Sequence, residues 1–148
     1  MYAWVSPMTD RPGSGKKQAP GTPPLIDVVD DDPSVALGLS RLLRAWGMQV
    51  RLFGSGREFL NARKEFPNAD CCVIDVQMPE MTGLEVQENL NRSGSHVPVI
   101  FITAHYDEAI EWQALKAGAL GFLRKPFSDE VLVGLIRKAL QGRQTPCS

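Results

Sequence analysis

A small set of side chains, far apart in the chain, is suited to one kind of chemistry. Asp30, Asp31 and Asp32 follow an apolar run; Asp75 comes near the end of a second, Thr103 ends a third, and Lys125 and Pro126 follow a fourth. In an open parallel sheet the ligand crevice lies beyond the carboxyl ends of the strands. If these runs are such strands, carboxylates from two of them meet in one crevice with a hydroxyl and an ammonium. Carboxylates held together repel one another and take up protons unless a cation compensates them. Magnesium fits, because it prefers hard oxygen ligands and keeps phosphate oxygens in its shell. Lys125 would offer a second positive charge to an incoming phosphoryl oxygen and Thr103 one hydrogen bond. The chemistry implied is phosphoryl transfer onto an aspartate, a metal-assisted form of covalent catalysis.

The elements that must position these groups follow from the hydrophobic rhythm. From Leu25 onward, short apolar runs alternate five times with amphipathic stretches, the pattern of a parallel sheet covered by crossover helices. Strands are expected at 25–29, 49–53, 71–76, 97–103 and 121–123, several of them apolar enough to be buried on both faces. Asp27 is the exception and suggests a place near a sheet edge. Pro33 suits a first helical turn, and Val35, Leu39, Leu42, Leu43 and Trp46 recur at helical spacing before Gly47. Ser55 with Glu58 reads as a capping box for a second helix. A third is expected at 83–91 and a fourth at 108–117, stopped by Gly118. A fifth follows Ser128, with Asp129 and Glu130 in its first turn and Val131, Leu132, Leu135, Ile136 and Leu140 on its apolar side. The fold class is α/β, with the ordered domain at 25–141.

Residues 1–24, rich in Pro and Gly, are expected to form a flexible leader, and residues 142–148 a flexible tail. The string Gly13, Ser14, Gly15, Lys16 is no phosphate loop, since Asp10 and Lys17 stand where a glycine and a Ser or Thr are needed. With 16 basic and 17 acidic side chains the net charge is -1, which gives no electrostatic case for nucleic acid or an anionic membrane. Cys71, Cys72 and Cys147 have neither metal-ligand nor disulfide spacing. No apolar stretch approaches a membrane span, and the chain is expected in the cytoplasm.

The runs Val28-Val29-Asp30-Asp31-Asp32 and Val73 through Gly83, the pair Thr103-Ala104, and the run Lys125-Pro126-Phe127 together resemble the receiver domains of two-component response regulators. The resemblance implies a doubly wound, flavodoxin-like (βα)5 fold with strand order 2-1-3-4-5. It implies Asp75 as phosphoacceptor, and a magnesium ion held by Asp30, Asp31, Asp75 and the backbone carbonyl of Gln77. Thr103 and Lys125 would bind the phosphoryl oxygens, and the Lys125–Pro126 peptide would be cis. The phosphoryl would come from a sensor histidine kinase or phosphotransfer protein, in a transfer the domain itself catalyses. Thr103 and Phe122 would act as the switch pair, altering the surface of the fourth helix, fifth strand and fifth helix. That surface serves a downstream protein, an output domain or a phosphorylation-dependent homodimer.

Blander roles fit several neighbours. Asp32 is read as a helix cap, His96 and His105 as loop residues, Cys71 and Cys72 as small buried hydrophobes, and Trp46 and Trp112 as packing residues. Three other functions compete. A haloacid-dehalogenase-like aspartyl phosphatase would place an aspartate where Gln77 stands and add a cap domain. A flavin carrier would need a phosphate loop where three aspartates repel phosphate. A receiver within a longer DNA-binding transcriptional regulator would keep the same site, with no nucleic acid bound by this part.

Overall fold

A computed structural model of the chain describes residues 22–144. The leader and tail expected at the two ends lie largely outside the described residues. Between them run β1 (Leu25–Val29), α1 (Pro33–Ala45), β2 (Gln49–Phe53), α2 (Gly56–Glu65), β3 (Cys71–Asp75), α3 (Gly83–Arg92), β4 (Val99–Thr103), α4 (Glu108–Lys116), β5 (Gly121–Arg124) and α5 (Asp129–Gln144). All four strand pairings are parallel and the order is β2-β1-β3-β4-β5.

Alternation along each strand divides the core. Ile26, Val28, Val73, Ile100 and Ile102 pack with Leu39 and Leu43 of α1 and Leu132 and Ile136 of α5. Their neighbours Val29, Cys72, Ile74 and Phe101 pack with Phe59 of α2, Val86 of α3 and Ala114 of α4. Each fully buried aliphatic side chain contributes roughly 1.5–3 kcal/mol relative to exposure, so both faces of the sheet hold the strands in place. The chain leaves β1 on one side toward β2 and returns on the other side as β3. The strand order therefore reverses between β1 and β3, where a doubly wound sheet opens its crevice.

Local chemistry sets the element ends. Asp32 caps α1, accepting from the backbone N–H groups of Ser34 and Val35. Thr82 and Glu85 form a reciprocal capping box on α3 that the sequence reading passed over. At α2 the expected box is only half present: Ser55 accepts from Glu58 N–H, but Glu58 reaches Gly54 N–H instead of Ser55. β4 begins at Val99, two residues later than expected, behind Pro98, which has no N–H to give the ladder. β3 ends at Asp75 because the Val76 carbonyl turns to accept from Gly83 N–H at 2.8 Å. β5 extends one residue further, to Arg124, and α5 runs past 141 to Gln144.

Asp27 is not at an edge. It is wholly buried on β1, flanked by both β2 and β3, and paired in register with Arg51. Arg51 Nε and Nη2 donate to its two carboxylate oxygens at 2.7 and 3.0 Å, and Nη2 also donates to the Phe66 carbonyl. Three expected packing residues are exposed. Val131 is 48% accessible, its place in the α5 core taken by Val133 and Ala139. Trp46 and Trp112 lie at the surface, their rings covered by the Arg137 guanidinium and the Lys116 ammonium respectively.

Candidate functional site

The ends of β1 and β3 bring Asp30 and Asp75 to the point where the strand order reverses, with Asp31 one residue beyond. One carboxylate oxygen from each of Asp30, Asp31 and Asp75 lies within 4.8 Å of the others. Asp30 and Asp75 are buried and Asp31 is exposed. Lys125 reaches in from beyond β5, its Nζ 3.3 Å from Asp30 Oδ2 and 3.8 Å from Asp75 Oδ1, and it precedes Pro126 across a cis peptide bond. Asp30 Oδ1 accepts from Asp32 N–H at 2.9 Å.

A close approach fixes the acceptor strand against α3. A Cβ on Gly83 would stand 2.5 Å from the Asp75 carbonyl oxygen and 3.0 Å from Phe101. Only glycine lets the start of α3 sit this near the residue that presents the carboxylate.

The electrostatics match the crowding. Burial raises the Asp75 pKa from 3.8 to about 6, and the charge of Asp30 pushes it further than Lys125 can pull it back. Burial likewise lifts Asp30, against the Asp32 N–H and Lys125. Asp75 Oδ1 is buried with no hydrogen-bond partner. A buried, unpartnered carboxylate oxygen costs free energy unless something positive meets it. The three convergent hard oxygens of Asp30, Asp31 and Asp75 form a donor set that fits a small divalent cation.

Thr103, wholly buried at the end of β4, makes no hydrogen bond to the Asp75 carboxylate. Its Oγ1 lies 3.1 Å from Gln77 Oε1 and 3.1 Å from the His105 carbonyl, and accepts from His105 N–H at 3.1 Å. Phe122 on β5 is half-buried between Phe101 and Tyr106, with ring centroids 6.3 and 6.2 Å away. His105 and His96 are exposed and Cys71 and Cys72 are buried. The sequence reading missed Tyr106, whose ring lies under the Arg124 guanidinium at 5.0 Å and whose hydroxyl donates to Glu111 Oε1. An aromatic residue three places after Thr103 in a polar loop was the available signal.

Beside the acidic cluster a cleft of about 400 Å³ is lined by Asp30, Asp31, Pro33, Ala36, Phe53 and Glu58, among others. A groove of about 500 Å³ between α2 and α3 lies away from these groups. Among the described residues no helix is long and apolar enough to cross a membrane.

The model of a family described as "Response regulator receiver domain" matches residues 26–137. Over 117 residues the chain is 44% identical to the response regulator protein TmoT of Ectopseudomonas mendocina, covering 79% of this chain and 53% of that protein. It is 39% identical to the transcriptional regulatory protein FixJ of Azorhizobium caulinodans, covering 80% and 58%. The chain thus spans about half the length of the curated relatives it matches. A crystal structure of a response regulator receiver protein from Burkholderia phymatum superposes with a TM-score of 0.71 at 45% identity, over 80% of this chain and 95% of that one.

Proposed function

Since the chain belongs to the family of response-regulator receiver domains, we propose that Asp75 is its phosphoacceptor, charged by a sensor histidine kinase or a phosphotransfer protein. The observation that carries this reading is the setting of Asp75 itself. Its Oδ1 is buried and unpartnered, faces an ammonium across 3.8 Å, and shares its crevice with the carboxylates of Asp30 and Asp31.

In the proposed step, an Asp75 carboxylate oxygen attacks phosphorus. The new P–O bond forms as the bond to the donor breaks, and the donor leaves with that electron pair. Lys125 neutralises a phosphoryl oxygen as the phosphoryl group moves toward Asp75, and Thr103 offers its hydroxyl proton to another. Asp30, Asp31, Asp75 and the Gln77 carbonyl would hold magnesium, which when bound screens the carboxylates from the anionic phosphoryl group. The cleft beside Asp30 and Asp31 offers the donor a way in. The chain would act as a phosphoacceptor signalling domain that catalyses its own phosphoryl gain and later loss.

The phosphoryl group carries a charge of roughly -1.5 to -2, in place of the single negative charge of the Asp75 carboxylate. Drawing Thr103 toward it would release Gln77 and the His105 backbone, letting Phe122 turn inward and changing the surface of α4, β5 and α5. That surface would meet a downstream protein, an output domain or a second copy of the chain in the cytoplasm. A second reading, that this is the receiver portion of a longer transcriptional regulator, draws support from the chain spanning about half the length of relatives such as FixJ. In either case the receiver itself would not contact DNA.

Intact-mass spectrometry after incubation with acetyl phosphate and Mg²⁺ tests the assignment. One phosphoryl adduct is expected, abolished by chelator or by Asp75→Asn. No adduct, or one that survives Asp75→Asn, would contradict it.

A further inference from the structure

We propose that Tyr106 is a positioning residue that carries the state of Thr103 to both β5 and α4. The inference rests on the phosphoacceptor reading above and deepens it. Thr103 Oγ1 has two acceptors within 3.1 Å, Gln77 Oε1 and the His105 carbonyl, and it also accepts from His105 N–H. A hydroxyl has one proton, so the start of the β4–α4 loop is wrapped around a group that satisfies only one of its two acceptors at a time. A third acceptor arriving on Asp75 competes for that proton and leaves both Gln77 Oε1 and the His105 carbonyl without it, so the His105 backbone is freed to move.

The next residue is Tyr106, and its side chain bridges two elements. The ring meets Phe122 edge-on at 6.2 Å and lies under the Arg124 guanidinium at 5.0 Å, both on β5. The hydroxyl donates to Glu111 on α4. The other ring contact of Phe122 is with Phe101, which is wholly buried in β4, so of its two aromatic neighbours only Tyr106 belongs to the loop that Thr103 organises. Displacing the His105 backbone therefore moves one ring that restrains Phe122 and Arg124 and one hydroxyl that restrains α4. The ring transmits to β5 and the hydroxyl to α4.

Hydrogen exchange read by mass spectrometry on the full chain, with and without acetyl phosphate and Mg²⁺, separates these routes, with adduct stoichiometry measured on the same samples. The wild-type protein is expected to change its exchange in 108–116 and 121–124 on modification. Tyr106→Ala should take up the phosphoryl to the same stoichiometry yet show less than half of the wild-type change in both segments. Tyr106→Phe keeps the ring, and with it the fold, so it decides the matter even if the alanine variant does not fold. In this variant the change on α4 should fall while that on β5 persists. A residue that merely stabilised the loop would alter exchange before modification and leave the difference intact. An adduct with undiminished changes on α4 in Tyr106→Phe, or on both segments in Tyr106→Ala, would overturn this inference alone. A wild-type chain with no adduct would overturn the proposed function beneath it.

Discussion

Without a divalent cation, Asp75 should weaken the fold it belongs to. Its carboxyl is raised from 3.8 to about 6 by burial and by the charge of Asp30, so in the folded state its charged form carries a penalty of up to about 3 kcal/mol. The folded protein holds this proton more tightly than the unfolded chain does. The stabilisation linked to it is therefore fully present below about pH 4, and is lost as pH rises through about 6. Asp75→Asn removes the ionisation. In chelator at pH 7 the variant should be more stable than wild type by up to about 3 kcal/mol, and near pH 4 the difference should vanish. At a urea dependence of about 1–3 kcal/mol/M the midpoint would rise by roughly 1–3 M. Added Mg²⁺ should narrow the gap, since ligand at tenfold its Kd stabilises by about 1.4 kcal/mol and Asp75→Asn has lost one anionic ligand. Urea titrations followed by circular dichroism at both pH values test this. Equal midpoints at pH 7 in chelator, or a difference that does not change with pH, would refute the reasoning.

Three further outcomes are expected. Mg²⁺ affinity, measured by calorimetry, should fall as pH drops below about 6, because protons compete for the raised carboxyls of Asp75 and Asp30; an affinity flat from pH 7 to 5 would argue against these ligands. Lys125→Gln should slow phosphorylation by acetyl phosphate by about 10²-fold, on the order seen when one preorganised charge-stabilising donor is removed, and a wild-type rate in stopped-flow would exclude its role. Arg51→Met leaves the buried Asp27 carboxylate without its bidentate partner and should cost about 3–5 kcal/mol by urea unfolding, whereas the paired change Asp27→Leu with Arg51→Met should restore most of it.

Much of this molecule was legible because its signals are local. Apolar runs interrupted by capped helices gave the five repeats, and Asp30, Asp75 and Thr103 stood out because each falls where such a run stops. What stayed hidden depends on partners distant in sequence. Asp27 looked like an edge residue because its counterion lies 24 positions away, and only the β1–β2 register puts Arg51 opposite it. Helical spacing found the apolar stripe of α5 but not its centre, so Val131 was taken for core while Val133 and Ala139 were overlooked. Trp46 and Trp112 were read as packing residues on helix faces, yet a cation placed one turn or one helix away can cover an exposed ring. Thr103 was legible as a site residue, but its bonds to Gln77 and His105 were not, since they depend on how two loops meet.

The central claim is that Asp75, and no other side chain, takes the phosphoryl group. An acyl phosphate is reduced by borohydride to an alcohol, so treating the acetyl phosphate-modified protein with borohydride and mapping its peptides locates the group directly. Homoserine at position 75 alone is the predicted result. Conversion at Asp30 or Asp31 instead, or an adduct that borohydride leaves intact, would contradict the account.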